Sequence, residues 1–218
     1  MALPPNLDHL LDATQSAVRR HPEHRLEPAR RRALYEAFGL KTDPVANRAR
    51  GWLAVLTAQR VLPIFEQGLP GEELPRRLIE MAVGVLRGKV DVSLAIRAAA
   101  DGHDVAGRLW GYDEAAVPWN SNLAGNAAHR ALAEAAGQTP LTVDTAPINA
   151  AYDRDKQSIP HNLWSDEKLA QVAGDAASSA AVAFACSAGS PSCDPDKLLE
   201  FWEWWLTEAI PTAFKMAS

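Results

Sequence analysis

Alanine and leucine recur at three- and four-residue spacings along most of this chain, and β-branched residues never alternate with polar ones over the length of a strand. The first pattern stacks apolar side chains on one side of a helix, and the missing alternation removes the half-buried strand. Helix packed on helix is what remains. Glycine and proline punctuate the chain at Pro22, Gly39 to Pro44, Gly68 to Gly71, Gly88 to Asp91, Gly111 to Pro118, Gly137 to Pro140, Pro160 and Gly189 to Pro195. These breaks leave about eight or nine segments, most of them long enough to be helices. No period of repeat length runs through them, which favours a compact all-α bundle over a solenoid. Gln138 to Leu163, with Pro140, Pro147 and Pro160, is the longest weakly patterned stretch and reads as loops around one short helix.

Placing residues at helical intervals gives more detail. From Leu74 to Leu86, the side chains of Leu74, Leu78, Met81, Ala82 and Val85 form one stripe, with Arg76, Glu80 and Arg87 opposite. Pro75 suits its first turn and Gly88 its end. In the last segment Asp194 is a natural N-cap and Pro195 a natural first residue. Leu198, Leu199, Trp202, Trp205, Leu206 and Ala209 then share an apolar face, while Trp204 projects with Lys197, Glu200 and Glu208. On that reading Trp204 is exposed. Gly51 to Ala58 and Leu169 to Ala188 are apolar or small nearly all round, which suits helices wrapped by others.

At 218 residues with 47% hydrophobic content, the chain can bury a large core without staples, and residues 1–218 are expected to form a single domain. Its two cysteines, Cys186 and Cys193, match no metal-ligand spacing and read as reduced thiols. The opening residues lack the basic patch and apolar run of a secretory signal, and no stretch is apolar enough for a good bilayer span. A cytoplasmic protein with no membrane role is expected. The net charge of −5 hides a gradient of +4 over residues 1–60, 0 over 61–100 and −9 over 101–218. Arg30, Arg31 and Arg32 sit beside Glu27 and Glu36 without interleaved aromatics, so nucleic acid is not expected as a partner. The acidic C-terminal half fits a basic protein partner, or simply a solvated surface.

Zincin, Walker, nucleophile-elbow and dinucleotide fingerprints are all missing, and no cofactor is implied. The densest polar constellation is Asp101, His103 and Asp104, with Arg108 one turn on and His129 in the next helix. Asp101, His103 and His129 could converge on zinc or iron, and with Asp104 they define the alternative of a metal-dependent helical enzyme. Against it, adjacent helical residues point apart and no Glu-x-x-His pair is present, so a satisfied structural histidine is preferred. Tyr152 to His161 reads as a solvated connector rather than an acid–base loop. Neither cysteine has an assignable base, so no catalytic residue is named.

Seven tryptophans are many for this length, and Trp202, Trp204 and Trp205 share one glutamate-rich helix. Tryptophan beside carboxylates is the composition of a binding hot spot. Trp202 and Trp205 are assigned to the core, whereas Trp204, with Glu200, Glu208 and Lys197, is the candidate partner-binding surface. Trp110, Trp119 and Trp164 read as anchors for irregular segments.

The segment Pro75 to Gly88, PRRLIEMAVGVLRG, is preceded by Arg60-Val-Leu-Pro-Ile-Phe-Glu66 and followed by the alanine-rich Asn126 to Ala133. Over residues 50–135 this arrangement resembles an all-helical family of immunity proteins from bacterial polymorphic-toxin systems, the one numbered five. The resemblance implies a cytoplasmic protein that binds and neutralises a cognate toxin and performs no chemistry. A helical regulatory or scaffold protein is the remaining alternative.

Overall fold

A computed structural model describes residues 3–40, 42–99, 118–137, 175–187 and 190–218. Among them the chain is all-α, as expected, apart from one short hairpin. The order is α1 (Pro5–Arg20), α2 (Pro28–Ala37), α3 (Pro44–Gly68), α4 (Leu74–Leu86), α5 (92–99), α6 (Trp119–Ala135) and α7 (Ala176–Ala185). There follow β1 (Cys186–Ser187), β2 (Ser190–Cys193), α8 (Pro195–Trp204), a π-helical turn (Trp205–Ala209) and α9 (Ile210–Ala217).

The central element is α3, which packs most extensively against α6 and also against α4, α7 and α9. Asp43 caps it, its Oδ1 accepting from the N–H of Val45 at 2.8 Å and of Ala46 at 3.4 Å, and Pro44 fills the first turn where no N–H is needed. Every residue from Ala49 to Val55 is buried, so the all-round apolar run does sit inside the bundle. Gly51 explains how neighbours approach so closely: a Cβ there would lie 2.7 Å from Leu86 Cδ2 and 3.0 Å from Ala135 Cα. At Gly68 an added Cβ would collide with Ser121. These glycines give up helix propensity and gain interhelical contact.

Two polar ties fix α3 to its surroundings. Arg50, buried near its start, donates through Nε and Nη2 to the Tyr35 carbonyl at 3.1 and 3.0 Å, placing a cation on the last turn of α2. Further along, the Thr57 hydroxyl donates to the Leu53 carbonyl at 2.7 Å and accepts from Trp205 Nε1 at 3.2 Å. A buried indole N–H is thereby satisfied in the core. Trp205 meets Tyr35 edge-on at 6.1 Å and Trp202 at 5.7 Å between ring centroids, so these aromatics join α2 to the C-terminal helices.

The elements read from the sequence sit close to where they were placed. In α4 Leu78, Ile79 and Ala82 are buried while Arg76, Arg77 and Glu80 are exposed, and Gly88 closes the helix with φ +67°. Asp194 caps α8, accepting from the N–H of Asp196 at 3.0 Å and of Lys197 at 3.5 Å. Helical backbone continues through the π turn and Pro211 to Ala217. The wider turn lies where Pro211 has no N–H to return to the preceding turn, a common way of absorbing a helix break.

Two expectations are corrected at residues 186–193. The connection is an antiparallel hairpin pairing Cys186 with Cys193 and Ser187 with Ser190. That pairing brings the cysteine Cα atoms to 4.0 Å, and the two are joined in a disulfide rather than present as free thiols. With no β-branched residue in the segment, neither the strands nor their register was legible.

Candidate recognition surface

The residues Lys197, Glu200, Trp204 and Glu208 lie along one outer side of α8 and the turn that follows it. Lys197, Glu200 and Glu208 are exposed, as expected. Trp204 is not: it is half-buried, because α3 supplies a partner that a lone helix lacks. The Arg60 guanidinium stands over the Trp204 ring, 4.4 Å from its centroid, and 5.1 Å from the centroid of Phe184 on α7. Its Nη2 donates to Glu200 Oε1 at 3.1 Å. Phe201 backs the assembly, 5.7 Å from Trp204 and 5.9 Å from Phe184.

This stack brings together two of the four candidates, Trp204 and Glu200, through Arg60. Lys197 and Glu208 flank it without joining it. Three helices contribute, so the surface is held by the bundle rather than by one flexible element. The cation spanning two aromatic faces limits the rotamers of Trp204 while leaving part of its ring to solvent. Next to it Glu203 accepts from Arg19 Nε at 2.6 Å, which ties α8 to α1. Arg60 and Phe184 were not singled out from the sequence. They are distant in the chain from α8, and no local spacing links them to Trp204.

The metal hypothesis fares differently. Asp101, His103, Asp104 and Arg108 lie outside the described residues, as do Trp110, Trp164 and Tyr152 to His161. His129 is described: it is buried, and its Nε2 lies 2.6 Å from the carbonyl oxygen of Ala99 on α5. A ring nitrogen facing a carbonyl carries its proton and donates, so that nitrogen acts as a tether between α6 and α5. Among the described residues no group of three or more His, Cys, Asp or Glu side chains is placed to hold a metal ion. Nor, among them, is any helix long and apolar enough to cross a membrane.

A second polar cluster, unlike the first, is inside. Arg31 and Tyr35 on α2, Glu134 on α6 and Asp175 at the start of α7 are all buried. Burial, and then the nearby charges of Asp175 and Glu134, push the Tyr35 hydroxyl well above its ordinary range. Burial first and repulsion from Asp175 second lift the Glu134 carboxyl to about 8. The cluster holds no nucleophile with a base, and no reaction follows from its geometry.

The family model described as Immunity protein Imm5 matches residues 11–212, all but the first ten and last six positions. No curated protein sequence matches the chain.

Proposed function

The chain belongs to the Imm5 family of immunity proteins, and from that premise we propose that it neutralises a cognate bacterial toxin by binding it, with no chemistry of its own. The extent of the family match carries this reading. It runs well beyond residues 50–135, over the central helix α3 and on through α8 and the π turn. Such a protein would act in the bacterial cytoplasm as a single folded domain.

The face we assign to the toxin is the one around Trp204. It offers a large aromatic surface already oriented by Arg60 and Phe184, with exposed carboxylates at Asp196, Glu200 and Glu208 around it. Aromatic anchors ringed by charge suit a hot spot, and the excess of acid over base suits a basic partner face. The test is a purified complex with the toxin domain encoded beside this protein, titrated calorimetrically against a triple alanine variant at Glu200, Trp204 and Glu208. A loss of a hundredfold or more in affinity supports the surface. Unchanged affinity in a folded triple variant removes it, and absence of any complex or protection removes the wider reading.

A further inference from the structure

The interior cluster has more acid than base. Asp175 is wholly buried; its Oδ2 accepts from Arg31 Nε at 3.0 Å and its Oδ1 from the Ser178 N–H at 2.7 Å. Arg31 is further committed through Nη1 to the Leu26 carbonyl at 2.6 Å. Glu134 reaches the same helix end, Oε1 accepting from the Ala176 N–H at 2.9 Å, while Oε2 is buried with no hydrogen-bond partner among the described residues. Two carboxyl groups thus hold consecutive parts of the first turn of α7, and the one guanidinium among them is already bound to Asp175.

A helix N-terminus welcomes one negative charge, but two buried carboxylates sharing it repel each other, and among the described residues the second has only Arg130, on its own helix, as a cation acting on it. We infer that Glu134 is a neutral carboxylic acid in the folded protein and serves as a proton-dependent latch between α6 and the first turn of α7. The groups facing it are Asp175 from α7, Tyr35 from α2 and Arg130 from its own helix. Among the described residues none of the charges acting on it comes from α3 or α4. Among the described residues only the Ala176 N–H and Arg130 favour ionisation, and burial with Asp175 outweighs them. Losing the proton sets a second charge against Asp175 and weakens the hold on α7. That helix carries Phe184, so the latch lies one element away from the Arg60–Trp204 stack.

The sign follows from proton linkage. The unfolded chain releases this proton near its ordinary value of 4.5, whereas the folded chain keeps it to about 8. Between those values the folded state binds more protons, so stability falls as pH rises; below and above the window this group contributes no slope. The unfolding constant of the wild-type protein, followed by denaturant titration across the window, should therefore carry a component approaching tenfold per pH unit that Glu134→Gln lacks. Carboxyl carbon-13 resonances of the wild-type protein should include one glutamate titrating above about pH 7 that is missing from Glu134→Gln. Parallel stability curves for the two proteins, or glutamates that all titrate in the ordinary range, would overturn the latch. Should Glu134→Gln not fold, the wild-type carboxyl titration decides alone, by the presence or absence of that resonance.

Discussion

Helix α8 presents two tryptophans to two arginines in opposite settings. Trp202 faces inward with Arg31 at 5.8 Å, and Arg31 pairs with Asp175; Trp204 faces outward with Arg60 at 4.4 Å, and Arg60 pairs with Glu200. The components are the same: an indole, a guanidinium and a carboxylate. Their exposure differs, at 9% and 0% for the inner ion pair against 26% and 61% for the outer one. Inside, neither charge can turn to water, so each depends on the other and the pair has one arrangement. Outside, solvent can replace either partner, so the pair adds little to stability and its members remain free to meet another protein. One constellation thus specifies the fold at one site and, at the other, forms the surface proposed for recognition.

The largest effect that would test this contrast is at the inner pair. Arg31→Ala leaves Asp175 charged, buried and uncompensated, and should cost about 3–5 kcal/mol in denaturant unfolding. A loss below about 1 kcal/mol would make the inner pair no different from the outer. Asp175→Asn comes next. An asparagine can still cap α7 but loses the charge-assisted bond to Arg31, so roughly 2–3 kcal/mol should go. It also removes the repulsion on Glu134, which should then titrate below the wild-type value of about 8, a shift readable by carboxyl NMR.

Much of the inner site was written in the sequence, although only part of it was read. Of the consecutive Arg30, Arg31 and Arg32, only Arg31 falls on the stripe of Leu34, Tyr35 and Phe38 that α2 buries. An arginine at i with apolar residues at i+3, i+4 and i+7 is a buried cation in need of a partner. Asp175 gave a matching signal, as a capping residue opening an alanine-rich helix. What periodicity does not say is which acid meets which base, since Arg31 and Asp175 lie 144 residues apart. The outer site was legible the other way round. The phase of α8 picked out Trp204 and Glu200, but their distance from Arg60 and Phe184 in the chain hid why Trp204 is half-covered.

Trp204→Ala separates the two readings of that residue. Losing a half-buried indole and one face of the Arg60 stack should lower stability by about 1 kcal/mol. As a hot spot it should cost the toxin complex about 2 kcal/mol or more, a dissociation constant at least thirtyfold weaker. If stability falls further than affinity, Trp204 is core and the outer constellation is a second copy of the inner one.

The smallest effect is the most discriminating, because it asks whether the outer ion pair matters to the fold at all. Glu200→Ala should change unfolding free energy by less than about 1 kcal/mol, and that difference should shrink as salt rises. Arg60 keeps its place between Trp204 and Phe184 by stacking, which does not need the carboxylate. Association with a basic toxin face should nevertheless slow at low salt, since an exposed charge acts through steering. A Glu200→Ala protein that loses stability as Arg31→Ala does, with no effect on association rate, would show that exposure does not divide the two pairs.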